Sequence, residues 1–244
     1  FADDMGKRDD AREYKQAMQK IYDAFNKKFY DADRGCYETT VWTQIGSRTK
    51  YRQTSNLVPL AFGLVPDEYV ESVVDSLVKD IKEKDYHLDT GCVGTKYILP
   101  ILCDYGHEDI AYRIATQDTY PSWGFMVAND AKGTWEMWES TTRSFDHYFL
   151  GTYDEWFYSH LAGVKDMENG YKNFTVEPSM IGDLTSAKAT IDTVRGQVVS
   201  DWSLLENGKA RLTVRVPFGS TAKVVLPTAS KDGVKLNDQT LSAS

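Results

Sequence analysis

The sequence is poor in cysteine, in basic charge and in long apolar runs, and each shortage removes a class of function. Cys36, Cys92 and Cys103 are an odd number without metal-ligand spacing, which argues against a disulfide framework and a zinc site and predicts buried free thiols. Lys and Arg number 28 against 36 Asp and Glu, a formal net charge of -8, so no basic field exists to neutralise phosphates. Nucleic acid is therefore not an expected partner. No apolar run approaches the ~20 residues that span a bilayer, so no membrane insertion is expected either. A Gly-rich phosphate loop, a His-Glu-x-x-His pair, a nucleophile elbow and a Cys-x-x-Cys pair are all missing, and with them the usual sequence support for nucleotide, zinc and serine-hydrolase chemistry. No cofactor and no metal is expected.

What is present in quantity is aromatic: 15 Tyr, 10 Phe and 6 Trp, several gathered around residues 120–158. Such rings pack cores first. They also wall sugar sites, because a flat face takes up C–H groups while Tyr and Trp edges hydrogen-bond hydroxyls. At 244 residues the chain has room for one large domain or two smaller ones. It opens on Phe1 without an initiator Met or a signal-peptide apolar core, which raises the expectation that it begins inside a longer protein and leaves localisation unreadable.

Apolar residues at steps of three and four predict helices. Tyr14, Met18, Ile21, Phe25 and Phe29 stripe residues 9–29 behind Asp9 and Asp10 as candidate caps, and Val70, Val73, Val74, Leu77, Val78 and Ile81 stripe residues 67–83 behind Asp67. Residues 53–63 read as a short buried helix with Pro59 near its first turn. Residues 95–104 and 107–117 form another pair about Gly106, and 144–161 read as one aromatic helix. Alternating buried and amphipathic helices on short connections suit helical hairpins in a solenoid or a closed α/α ring. After Gly163 the period changes to two over Thr190–Val194, Val198–Leu204, Arg211–Val216 and Lys223–Leu226, with Asn207-Gly208 as a hairpin turn. The boundary is expected near residues 163–175. The fold class is thus mainly α with a β domain: helical hairpins over 1–165, then a small β-sandwich over 166–244.

Carboxylates are the remaining source of chemistry. The segment 120–148 packs Trp, Gly and Glu into a connection between helices, where binding groups concentrate. Glu136, set between Trp135 and Trp138, is suited to take a proton from water; Glu139, three residues on, competes for that role or lies on a solvated surface. His147 could donate to a hydroxyl. Trp123, Trp135 and Trp138 are candidate walls as readily as core, and His87 is expected to hold its loop rather than touch ligand.

The runs HLDTGCVGTKYILPILCDYGHEDIAYRIATQDTYPSWGFM (87–126), GTWEMWES (133–140) and SFDHYFLGTYDEWFYSHLAGV (144–164) resemble the bacterial α-L-rhamnosidases. QTSNLVPLAFGLVP (53–66) and GYKNFTVEPSMIGDLTSAKATIDTVRGQVVSDW (170–202) are similar to flanking parts of that family in the same order. The resemblance covers nearly the whole chain. It implies a partial α/α toroid of six-hairpin type, a C-terminal β-sandwich, and hydrolysis of terminal α-L-rhamnosides with inversion, the partner being a rhamnose-containing glycoside. It assigns the general base to Glu136 through Trp135-Glu136-Met137-Trp138, and substrate contact to His147 through Phe145-Asp146-His147. Two departures accompany it. Only ten residues separate Glu136 from His147, a shorter stretch than the family's, and nothing upstream of Glu136 matches the acidic motif that carries the family's general acid. That acid is expected outside these residues. The rivals are another α/α-toroid glycosidase or lyase, and a non-catalytic carbohydrate-binding protein that would not need Glu136.

Overall fold

A computed structural model of the chain describes residues 1–38, 51–206, 208–228, 233–237 and 239–240. It divides into two compact units, Phe1–Thr152 and Tyr153–Ser244. A helical part followed by a strand-rich part bears out the expected fold class.

In the first unit, α1 spans Arg8–Phe29, with Asp9 and Asp10 in its first turn and Lys27 and Lys28 in its last, the arrangement that favours the helix dipole. The two aspartates lie inside the helix rather than capping it, since Lys7 holds the cap position. Of its apolar stripe, Tyr14, Met18 and Ile21 stay exposed. Phe25 instead meets Phe29 and Tyr37. A two-stranded hairpin, β1 (Tyr30–Asp31) with β2 (Cys36–Tyr37), follows. Buried Asn56 fastens it to the next helix, accepting from the Tyr37 N–H at 2.8 Å and donating to the Tyr37 and Arg52 carbonyls.

That helix, α2 (Gln53–Ala61), buries Gln53, Asn56, Leu57, Pro59 and Leu60. Because it starts at Gln53, where extended Arg52 ends, Pro59 falls in its second turn and not near its first; the missing N–H there leaves the Ser55 carbonyl without its intrahelical donor. Helix α3 (Asp67–Glu83) buries Val73, Val74, Leu77, Val78 and Ile81, each worth about 1.5–3 kcal/mol on full burial. Pro66 takes its cap position, so Asp67 joins Glu68 in the first turn. Helices α4 (Thr95–Asp104) and α5 (Glu108–Ala115) form a hairpin about Gly106, whose φ of 78° permits the 2.7 Å bond from His107 N–H to the Leu102 carbonyl.

Two expectations about this unit are overturned. The helical hairpins expected over 1–165 are interrupted: after a short α6 (Trp123–Ala128), capped by Ser122 accepting from Phe125 N–H, residues 129–147 are irregular. Nor is 144–161 one helix. Ser144 and His147 make their backbone bonds to the preceding irregular stretch, with Glu136 N–H donating to the Ser144 carbonyl at 3.0 Å and His147 N–H to the Thr134 carbonyl at 2.8 Å. Helix begins only as a 3₁₀ turn at Tyr148–Leu150. Among the described residues no helix is long and apolar enough to cross a membrane.

The second unit opens with α7 (Tyr153–Trp156), which widens into a π turn over Phe157–Leu161. Strands β3 (Val164–Glu168), β4 (Asn173–Val176) and β8 (Thr221–Val224) make one sheet, with β4 and β8 parallel. β5 (Ser186–Thr193), β6 (Gly196–Leu204) and β7 (Ala210–Arg215) make an antiparallel second sheet. Val164, Phe174, Val176 and Val198 form a core shared by both, which makes the pair a sandwich. Along β6 the buried residues Val198, Ser200 and Trp202 alternate with partly exposed ones, the expected period of two. Strands β3 and β4 were not among the expected runs, and β5 begins four residues before the expected one. Of the expected Asn207-Gly208 turn, Asn207 lies outside the described residues. Gly163 requires its residue type: its φ is 78° and a Cβ would lie 2.2 Å from the Glu177 carbonyl carbon.

Two further short strands, β9 (Lys235–Leu236) and β10 (Gln239–Thr240), pair with each other.

Candidate active site

The irregular stretch after α6 folds back on itself. Thr134 hydroxyl donates to the His147 carbonyl at 2.6 Å, and the buried Thr142 hydroxyl bridges Met137 N–H and the Ser144 carbonyl. These bonds fix residues 134–138 against 142–147 and present Glu136 at an open cavity of about 370 Å³. Its lining brings together Gly91 and Cys92, the run Glu136, Met137, Trp138 and Glu139, and Phe149 and Leu150.

Glu136 is half-buried there. No ion pair or side-chain hydrogen bond joins its carboxylate to another of the described residues. Glu139 lines the same cavity and accepts from the Tyr120 hydroxyl at 3.3 Å. Burial, and then the Glu139 charge beside it, pushes the Tyr120 phenol above its ordinary pKa, so that Tyr120 remains a donor.

Of the three tryptophans singled out, Trp138 lines the cavity. Trp135 is 2% exposed and stands edge-on to Phe125 and Phe145, a core position, and its buried Nε1 has no hydrogen-bond partner among the described residues. Trp123 stands edge-on to Trp138 at 5.5 Å and donates to the Leu150 carbonyl at 2.7 Å. Neither ring is among the lining residues; Trp123 supports two of them, Trp138 and Leu150.

His147 is half-buried and also outside the lining. Its Nδ1 accepts from Phe149 N–H, which leaves the proton of a neutral ring on Nε2. Its ring packs 4.1 Å from that of Phe149, a wall residue. His87 has both ring nitrogens engaged, with the Lys84 carbonyl and the Thr119 hydroxyl.

As a wall, Gly91 and Cys92 had no part in the sequence reading: both lie within the run 87–126, and Cys92 was expected only as a buried thiol. No signal in its residue types marked it as part of the site. Cys92 is exposed, unlike buried Cys36 and Cys103, which corrects the expectation of three buried thiols. Among the described residues no group of three or more His, Cys, Asp or Glu could hold a metal ion.

Known proteins match nearly the whole chain. The bacterial α-L-rhamnosidase six-hairpin glycosidase domain matches residues 1–161, and the C-terminal domain of the same proteins matches 163–240. An α-L-rhamnosidase of Streptomyces avermitilis is 34% identical over 96% of this chain and 22% of its own length. One from Formosa agariphila is 31% identical over 98% of this chain and 26% of its own. The chain therefore spans about a quarter of the length of these curated relatives. Among solved structures, the α-L-rhamnosidase of Dictyoglumus thermophilum superposes with a TM-score of 0.83 at 36% identity, covering 94% of this chain and 25% of that one. The Streptomyces avermitilis enzyme, solved in complex with L-rhamnose, superposes with a TM-score of 0.81 at 34% identity, covering 95% and 22%. The chain belongs to the bacterial α-L-rhamnosidase family.

Proposed function

We propose that this chain is the base-bearing C-terminal part of a longer glycoside hydrolase that releases terminal α-L-rhamnose with inversion. The observation that carries the reading is the Glu136 carboxylate on the wall of an open cavity, beside the Trp138 ring and without an internal partner among the described residues. A carboxylate so placed is available to a water molecule. In an inverting cleavage it takes the water's proton as the oxygen attacks the anomeric carbon, while a carboxylic acid on the opposite face protonates the leaving oxygen. That acid would come from the rest of the polypeptide. The exposed Tyr14, Met18 and Ile21 of α1 support such a remainder, since an apolar stripe of this kind is usually covered. The Trp138 ring would take the sugar's C–H face, and His147, with a proton on Nε2, would reach it from behind Phe149, the lining residue its ring packs against.

The stereochemistry tests this reading. Proton NMR of the first sugar released from an aryl α-L-rhamnoside by the longer enzyme should show the β anomer before mutarotation. An α anomer appearing first would mean retention and remove the water-activating role from Glu136.

A further inference from the structure

Trp138 joins two parts of the cavity lining: it is itself a lining residue, and its indole N–H reaches the backbone of the residue before Gly91. Nε1 donates to the Thr90 carbonyl at 2.7 Å, spanning 48 positions of sequence. Thr90 and Thr95 are both buried, and their hydroxyls meet at 2.9 Å. The Thr95 hydroxyl donates to the Gly91 carbonyl at 2.8 Å, so its one hydrogen is spent there and Thr90 must donate to it. The carbonyls of Thr90 and Gly91 are thus both held by side chains. On the α2 side, fully buried Gln53 accepts from Asp89 N–H at 2.7 Å and donates to the His87 carbonyl. The segment carrying Gly91 and Cys92 is therefore tied to α2 by Gln53 and to the Glu136 segment by Trp138.

We infer that Trp138 is a positioning residue whose indole N–H, with the Thr90–Thr95 hydroxyl relay, sets the Gly91–Cys92 wall at working distance from Glu136. The inference rests on the reading of this cavity as the rhamnoside site. Without the N–H, the Thr90 carbonyl is left buried and unsatisfied, and the wall is free to move away from the carboxylate. Reaction geometry is sensitive to such movement, since a displacement of about 1 Å can cost on the order of 10²-fold in rate.

The test compares Trp138→Phe, Thr95→Val and Thr95→Ser in the longer enzyme with two readouts: kinetics on an aryl α-L-rhamnoside, and the rate at which iodoacetamide labels Cys92, followed by peptide mass spectrometry. Phe keeps an aromatic ring at the cavity but removes the donor together with part of the indole's volume, so Thr95→Val, which keeps its side chain's size, is the control for lost packing. We expect Trp138→Phe to lower kcat/KM about tenfold or more, and Cys92 labelling to accelerate about threefold. Thr95→Val should move both readouts the same way, and Thr95→Ser, which keeps the hydroxyl, should restore them. The double variant should lose less than the product of the single losses, because both changes release one segment. Wild-type kinetics and labelling in the Phe and Val variants would overturn the inference, even with a lowered Tm, by showing that the bonds only stabilise the fold. If the wild-type enzyme does not cleave rhamnosides, the functional reading fails, and Cys92 labelling alone still decides whether the clamp exists.

Discussion

Glu136→Gln in the longer enzyme should lower kcat on an aryl α-L-rhamnoside by about 10²–10⁴-fold, the usual share of general acid–base catalysis. An amide of the same shape cannot accept the water's proton. KM should change little, because the substitution removes an interaction made in the transition state rather than in substrate binding. Stability should also hold, since the side chain is half-buried, keeps its size and gives up no ion pair with the other described residues. Glu139→Gln is the necessary companion. Glu139 shares the cavity and accepts from Tyr120, so its loss should be felt as a modest shift in binding. A severe kcat defect in Glu139→Gln with a mild one in Glu136→Gln would exchange the two roles.

The second large effect concerns the chain by itself. Purified alone, these 244 residues should turn over the same rhamnoside at a rate lower by about 10⁴-fold or more than the longer enzyme, because two contributions disappear together. Loss of acid catalysis removes roughly 10²–10⁴, and loss of the opposing half of the pocket removes orientation that can be worth about 7–11 kcal/mol. Circular dichroism should first establish that the isolated chain keeps its helices and strands. Robust turnover by a folded, isolated chain would place an acid within these residues, with Glu139 the first group to replace.

The parts of the fold that were legible in the sequence are those whose bonds are local. Helix α3 could be read from its valines, leucine and isoleucine because the stripe that repeats in sequence is the face that is buried. The same rule misled at residues 144–161, where aromatic periodicity imitates a helix while the backbone of Ser144 and His147 pairs with Thr134 and Glu136. On α1 it located the helix correctly, yet Tyr14, Met18 and Ile21 are not buried within this chain. Strand β4 escaped notice because only four residues, Asn173–Val176, make it, and its parallel partner β8 lies far along the sequence.

The site divides in the same way. Glu136 and Trp138 could be singled out from one short motif, and both reach the cavity. Trp135 and Trp123, equally prominent in sequence, stand in the core and behind the wall, because composition does not say which way a ring points. The wall at Gly91 and Cys92 was illegible for a simpler reason: it is joined to Trp138 by a hydrogen bond to the Thr90 carbonyl, 48 residues away. A backbone acceptor leaves no mark on residue type.

Chemical rescue of Glu136→Ala by azide bears most directly on the central claim, that Glu136 activates the attacking nucleophile. Azide needs no deprotonation and fits where the carboxylate has been removed. With an activated aryl α-L-rhamnoside, azide should form a bond to the anomeric carbon as the aryl oxygen departs, restoring aryl release in the Ala variant and yielding β-L-rhamnosyl azide. A folded Glu136→Ala enzyme that keeps near-wild-type hydrolysis without azide, or that yields the α-azide, would contradict the account.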